Sequence, residues 1–207
     1  MNKNAKPNYA FIDSQNLNLG IKSQGWTLDF RKFRLYLRNK YNVQKAYLFI
    51  GQMAGQEFLY DRLQSMGYHL IFKPTTEYKV KGKVMVKGNV DAELVLYAAA
   101  KVFDEYDKAI IVSGDGDFHC LAEYLLEKGK LGYILVPNKK FSSLLRRFDM
   151  YVKRVDNAKR SLQLVQNKKA RTSGRYETLG IPGHGDTPNI ARQRPKVNKR
   201  GRNKGRK

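Results

Sequence analysis

The sequence predicts an α/β fold of three layers, with helices on both faces of a central, mainly parallel sheet. Strand-like and helix-like segments alternate along residues 1–156. The strand-like segments are almost continuously apolar, as is typical of parallel strands that are covered on both faces. Beyond this region the alternation stops, and Gly, Pro, Asn and basic residues dominate. We therefore expect one folded domain over residues 1–156 and a basic, disordered tail over residues 157–207.

The predicted strands are short apolar runs, most of which end at a polar residue or a glycine. They lie at residues 8–13, 45–51, 69–73, 110–112, 131–137 and 150–155. After the third strand, basic residues alternate with valines up to residue 87. This alternation predicts either a small hairpin or a mobile loop.

The predicted helices carry apolar residues at the spacing of one helix face. They lie at residues 27–42, 55–68, 89–107, 118–130 and 141–148. Gly67 and Gly129 are the expected stops of the second and fourth of these helices. Asn89 is the expected N-cap of the third.

Basic residues outnumber acidic residues, most strongly in the tail. The chain has 40 Lys and Arg against 18 Asp and Glu, a formal net charge of +22. Residues 157–207 hold 15 of these bases and 2 of these acids. Such an excess favours a polyanionic partner, because each neutralised phosphate releases condensed counterions. A tail that serves only solubility is the alternative, and we favour nucleic acid.

Several classes of protein are excluded by simple features of the sequence. It contains no run of about 18 apolar residues, so we expect no membrane span. The polar first residues predict no secretory signal. Cys120 is the single cysteine, which predicts neither an internal disulfide nor a thiolate metal cluster. We expect a reducing, cytoplasmic setting.

Four aspartates follow strands or open a helix where the carboxyl edge of the sheet is expected. Asp13 ends the first strand, with Asn16 three residues later; Asp115 and Asp117 follow the fourth strand, and Asp91 lies in the first turn of a helix. Each one alone could cap a turn or a helix. Four carboxylates at one edge would repel one another, and a divalent cation removes that conflict. Ligation by oxygen alone suits Mg²⁺ or Mn²⁺.

Four ordered motifs resemble those of a known family. They are "FIDSQN", "KGNVDAELVLYA", "IVSGDGDFHCLAEYLLEKG" and "FSSLLRRFDMYV". Together they resemble the NYN domain, of the LabA-like branch of the PIN-like nuclease superfamily, over about residues 8–156. The resemblance implies a PIN-type sheet and metal-dependent endoribonuclease activity that leaves a 3′-hydroxyl and a 5′-phosphate.

The resemblance also implies roles for the acidic residues and for the asparagine beside the first of them. Asp13, Asp91, Asp115 and Asp117 would be catalytic metal ligands, directly or through water. Asn16 would orient Asp13 or touch the scissile phosphate.

The expected substrate-binding residues are Ser113, Lys87 and Tyr78. Ser113 would steady the turn at the strand end. Lys87 would contact a phosphate, or else is a solvated loop base. Tyr78, with Tyr9, Trp26 and the bases of residues 79–87, could form a rim for single-stranded RNA, although aromatic residues more often belong to a core. Because PIN-like domains often pair, a homodimer is also an expectation.

Three other functions could in principle account for the acidic residues. A phosphatase of the Asp-x-Asp type needs its acid pair at the first strand, and "IDSQN" has no second Asp at that spacing. A calcium loop fails because "DGDFHCLAEYLL" offers too few oxygen ligands at the required spacing. A non-catalytic RNA-binding protein on a nuclease fold remains the alternative function.

Overall fold

The structure is a computed structural model that describes residues 6–52, 55–73, 76–80, 83–87 and 90–165. Of these residues, the ones from 73 to 90 inclusive are described by their backbone alone. Six strands form one sheet, and two form a separate hairpin. The sheet strands are β1 (Asn8–Asp13), β2 (Val43–Gly51), β3 (Tyr68–Lys73), β6 (Ala109–Val112), β7 (Leu131–Val136) and β8 (Val152–Arg154), and the hairpin strands are β4 (Thr76–Val80) and β5 (Lys83–Lys87).

The six sheet strands run in the order β3-β2-β1-β6-β7-β8, and every neighbouring pair is parallel. The strand order reverses at β1, which has β2 on one side and β6 on the other. In open α/β sheets this reversal opens a crevice at the carboxyl ends of the strands, where ligands bind. The predicted parallel sheet is therefore confirmed, and β4 and β5 form the small antiparallel hairpin that was one of two expectations.

Helices cover both faces of the sheet. They are α1 (Ser14–Lys22), α2 (Phe30–Tyr41), α3 (Glu57–Ser65), α4 (Val90–Leu96), α5 (His119–Glu127) and α6 (Lys159–Leu162). Alternate residues of β1 point to opposite faces: Ile12 joins the core under α1, α2 and α3, whereas Phe11 joins the core under α4 and α5. This period of two, on a sheet with two cores, confirms the three-layer architecture.

Three helical segments differ from the sequence prediction, and one of them, predicted at residues 141–148, forms a 3₁₀ helix over Ser143–Phe148. The chain after β1 forms α1, which was not predicted because Ser, Asn and Gly are poor helix formers. The predicted helix 89–107 is α-helical only to Leu96; a π-helical turn follows over Tyr97–Lys101 and a 3₁₀ turn over Phe103–Glu105. The hydroxyl of Tyr106 donates to the carbonyl of Ala98 at 2.6 Å and so satisfies an acceptor in the irregular segment.

Residues beyond position 156 continue the folded body. Leu162 is 1% exposed, and its carbonyl accepts a hydrogen bond from Asp29 N at 2.9 Å. Leu164 N donates to Thr27 O at 2.9 Å. The first nine residues of the predicted tail, up to Val165, therefore pack on the domain, and the remainder of that prediction lies outside the described residues. Among the described helices, none combines the length and apolar character of a membrane span.

Candidate active site at the carboxyl edge of the sheet

The first and third motifs meet because β1 and β6 are neighbours. Ile12 pairs with Val112 in the parallel register. The next residues along the two strands, Asp13 and Ser113, are therefore adjacent at the carboxyl edge. This is the edge at which the strand order reverses, as predicted for the functional residues.

Asp13 is a buried carboxylate held by neutral donors. Its side chain is 6% exposed. Oδ1 accepts hydrogen bonds from the backbone N–H groups of Gln15 at 3.1 Å and Asn16 at 3.0 Å, which makes Asp13 the N-cap of α1. Oδ2 accepts a hydrogen bond from the Ser113 hydroxyl at 3.4 Å. The carboxylate is thus fixed in direction by α1 and by β6.

Ser113 links two of the acids. Its side chain is completely buried; the hydroxyl donates to Asp13 and accepts from the backbone N–H of Asp115 at 3.2 Å. These contacts place Ser113 where it steadies the turn after β6. Its predicted place among the substrate-binding residues needs correction, because a fully buried hydroxyl with two protein partners does not face a substrate.

Asn16 joins the same two segments of chain. Its side-chain Oδ1 accepts a hydrogen bond from Gly114 N at 2.8 Å, while its own backbone N–H donates to Asp13. The side chain therefore orients the loop that carries Asp115. One of the two roles expected of Asn16 was to orient Asp13. The backbone N–H of Asn16, and not its side chain, makes that contact.

The two aspartates after β6 have different environments. Asp115 is half-buried, and its Oδ1 accepts a hydrogen bond from Asp117 N at 3.1 Å, which caps the 3₁₀ turn Gly116–Phe118. Asp117 is exposed at the start of the helical segment. His119 Nδ1 lies 2.9 Å from the carbonyl of Gly116, a structural contact. Asp115, rather than Asp117, is therefore the capping residue of this turn.

Three acids act on one another electrostatically. The pKa of the Asp13 carboxyl is raised from 3.8 to about 6, chiefly by burial and also by the charges of Asp91 and Asp115, against the lowering effect of the Asn16 N–H and the Ser113 hydroxyl. Asp91 is half-buried in the first turn of α4, as predicted. The carboxyl edge thus places negative charge near the Asp13 carboxylate, which is already poorly hydrated because it is buried.

A divalent cation suits this chemistry, although the acids are not gathered tightly around one point. Within the described ranges no three His, Cys, Asp or Glu side chains lie close enough together to hold an ion as they stand. The available donors are carboxylate oxygens, which Mg²⁺ and Mn²⁺ prefer. A buried carboxylate whose ionisation is opposed by two neighbouring charges also gains most from a cation. The donor set therefore fits, and binding requires the carboxylates to draw together.

The segment after β7 holds the loop that carries Asp115 and Asp117 in place. No residue of this segment was given a role from the sequence. Ser142 N donates to Gly114 O at 3.0 Å. A Cβ at Gly116 would lie 2.9 Å from the Cβ of Ser142, so only glycine fits between the two aspartates. The serine before a short helix was a visible capping signal, but its contact with Gly116 depends on the tertiary fold.

The predicted aromatic rim does not form as expected. Tyr9 and Trp26 are each 3% exposed and belong to the two cores. Tyr78 lies in β4, paired with Met85, and Lys87 ends β5. The side chains of Tyr78 and Lys87 are outside the described part of the molecule, so their binding roles stay predictions.

Comparison with known proteins identifies the family and the fold of the chain. The NYN domain model matches residues 9–156. The low amplitude and bright protein LabA of Synechococcus elongatus is 30% identical over 125 residues, which are 57% of this chain and 67% of that protein. A crystal structure of a protein of unknown function from Vibrio parahaemolyticus superimposes with a TM-score of 0.63 at 21% identity, over 79% of this chain and 100% of that one.

The family match runs from β1 to beyond β8 and includes all four aspartates. The structural likeness supports the fold alone, since its sequence identity is low. The family match covers more than half of the chain and includes every motif from which the resemblance was drawn. The chain therefore belongs to the NYN domain family.

Proposed function

We propose that this protein is a metal-dependent endoribonuclease that cuts single-stranded RNA at the carboxyl edge of the sheet. The observation that carries the proposal is the buried Asp13, held by α1 and Ser113 and sensitive to the charges of Asp91 and Asp115. The net charge of +22 supports a polyanionic substrate. The family is nuclease-like in fold, and the catalytic step is the part that this proposal adds.

The residues of the chain divide the task between them. Asp13, Asp91 and Asp115, with Asp117 at the exposed rim, are the proposed holders of Mg²⁺ or Mn²⁺. A bound divalent cation would supply an activated water and stabilise the leaving oxygen of the phosphodiester. Ser113 and Asn16 would hold Asp13 beside the loop that carries Asp115, and both side chains are neutral. The exposed Cys120 is compatible with a reducing, cytoplasmic setting.

The experiment compares the parent protein with Asp115→Asn and Asp61→Asn on a labelled single-stranded RNA in Mn²⁺. Asp61 is an exposed aspartate of α3 and serves as the matched control. We expect Asp115→Asn to cut at least about 100-fold more slowly while still binding RNA, because removal even of supporting groups costs 10- to 100-fold. Asp61→Asn should cut like the parent. Equal cutting by all three proteins would mean a contaminating nuclease and would reject the site.

A second candidate function is RNA binding without cleavage. It is favoured by one observation: the described acids are not preassembled into a group of three ligands. Titration calorimetry with Mn²⁺ separates the two functions. Binding of Mn²⁺ that Asp13→Asn abolishes would support the nuclease, whereas RNA binding without any uptake of Mn²⁺ would support the alternative.

A further inference from the structure

A groove of about 580 Å³ runs beside β8, the terminal strand of the sheet. Tyr36 and Tyr41 of α2 line one side of it, and Val152 and Lys153 of β8 line the other. None of the four aspartates lines the groove, so it is separate from the acidic edge itself. It is large enough for several polar groups of a flexible ligand.

The groove is basic. Lys40, Arg146 and Lys153 are exposed and line it, against the single acid Asp149. A fourth base in the lining, Arg154, is held by Asp156 through two hydrogen bonds of 2.9 and 2.7 Å, so its charge is largely compensated. Three lysine or arginine side chains therefore remain to attract an anionic ligand.

Aromatic rings lie directly beneath the lysines. Lys40 Nζ is 5.3 Å from the centroid of the Tyr36 ring and 5.7 Å from that of Tyr41. Lys153 Nζ is 5.8 Å from the centroid of Tyr133, whose ring in turn packs against Tyr41 at 5.1 Å. Interleaved bases and aromatic rings suit a ligand that combines phosphates with flat heterocycles.

The groove reaches the acidic edge through Phe141. Phe141 lines the groove and also packs against the loop that follows β6. A Cβ at Gly114 would lie 3.2 Å from the Cβ of Phe141. Gly114 immediately precedes Asp115, so Phe141 adjoins both the groove and the loop that carries this acid.

We propose that this groove binds the segment of single-stranded RNA that flanks the scissile phosphate; the inference rests on the proposed nuclease function. Charge favours RNA over a second copy of the protein, because two such basic grooves would repel one another. The strand β8 has three residues, Val152–Arg154, which offers little main chain for pairing with a peptide. The groove thus extends the footprint of RNA beyond the acids.

The test measures binding of a labelled RNA of about 20 nucleotides to the full chain in EDTA, across a range of salt concentrations. The groove variant combines Arg146→Gln with Lys153→Gln. The control variant combines Arg62→Gln with Lys128→Gln, which removes the same charge from basic side chains that lie over aromatic rings at 5.7 Å each, as Lys153 does at 5.8 Å. The two variants therefore differ in where the charge is lost and not in how much.

The groove variant should make the negative slope of log K against log salt shallower by about 1.4, which corresponds to roughly 10- to 30-fold weaker binding at 0.1 M salt. The control should bind within about twofold of the parent. Equal losses in both variants, or no loss in the groove variant, would overturn the proposal. A hexaglutamate peptide that depends on Arg146 and Lys153 while RNA does not would identify a peptide site and also overturn it.

Cleavage gives an independent readout. In Mn²⁺, the groove variant should cut the long RNA with a raised KM and cut a trinucleotide like the parent, because a trinucleotide does not extend into the groove. Equal impairment on both substrates would contradict the assignment. If the parent cuts neither RNA but the groove still governs binding in EDTA, the nuclease is rejected and the groove is retained.

Discussion

The buried Asp13 carboxylate should destabilise the folded protein at neutral pH, and Asp13→Asn should relieve that cost. The pKa of Asp13 rises from 3.8 to about 6 on folding, chiefly through burial. Between those two pH values the folded protein keeps a proton that the unfolded chain has lost. Stability therefore falls as pH rises through this window, and the whole penalty is present above about pH 6.

The magnitude follows from the size of the shift. The rise of the Asp13 pKa from 3.8 to about 6 corresponds to about 3 kcal/mol, at about 1.4 kcal/mol for each pKa unit. Asparagine preserves the carbonyl oxygen that caps α1, and Asn and Asp are equally good N-caps. We therefore expect Asp13→Asn to raise the free energy of unfolding by about 2–3 kcal/mol at pH 7.5 and by little at pH 3.5.

Urea unfolding in EDTA at these two pH values provides the measurement. Asp29→Asn is the matched control, because Asp29 caps α2 by accepting from Lys32 N at 3.1 Å and also lies 3.9 Å from the Lys32 ammonium. That variant should lose up to about 1 kcal/mol. Mn²⁺ should stabilise the parent and not Asp13→Asn. A loss of stability in Asp13→Asn that is the same at both pH values would refute the reasoning.

Three further outcomes are expected. Asn16→Ala should lower the free energy of unfolding by about 1–3 kcal/mol, because it leaves the N–H of Gly114 without its 2.8 Å acceptor; no loss in thermal or urea unfolding would show that water replaces it. Leu162→Ala should cost about 2–5 kcal/mol, since the side chain is 1% exposed; a loss below about 1 kcal/mol would show that α6 is loosely attached. Removal of residues 166–207 should weaken RNA binding and flatten its salt dependence; unchanged salt slopes in a filter-binding assay would reject the tail as an RNA anchor.

The sheet was predictable because its central strands, such as β1 and β6, are buried on both faces. The first strand was predicted at residues 8–13 and is found there, since an uninterrupted apolar run has few alternatives in a parallel sheet. The helix α1 was not predictable from its own residues. Besides the local cap from Asp13, its stability depends on the burial of Leu17 and Ile21 against the sheet, which is a tertiary effect.

The candidate site was predictable in its location more than in its details. The rule that parallel strands end at one edge of the sheet was sufficient to predict that Asp13 and Asp115 lie at the same edge. The sequence did not reveal that Ser113 would be buried between them, because a serine after a strand is as often exposed. It also could not show that Asn16 uses its side chain for Gly114, since that contact joins segments 98 residues apart.

Neutral groups connect Asp13 to the loop that carries Asp115, and this explains how the two segments are held beside one another before a cation binds. The hydroxyl of Ser113 contacts the carboxylate of Asp13 and the backbone N–H of Asp115, so a neutral group ties the two segments together. A lysine or arginine at this point would cancel the negative charge and would compete with the metal for the same oxygens. Because the described contacts of Asp13 come from neutral donors, its charge remains available to a cation, while the bases of the chain act on RNA from the surrounding surface.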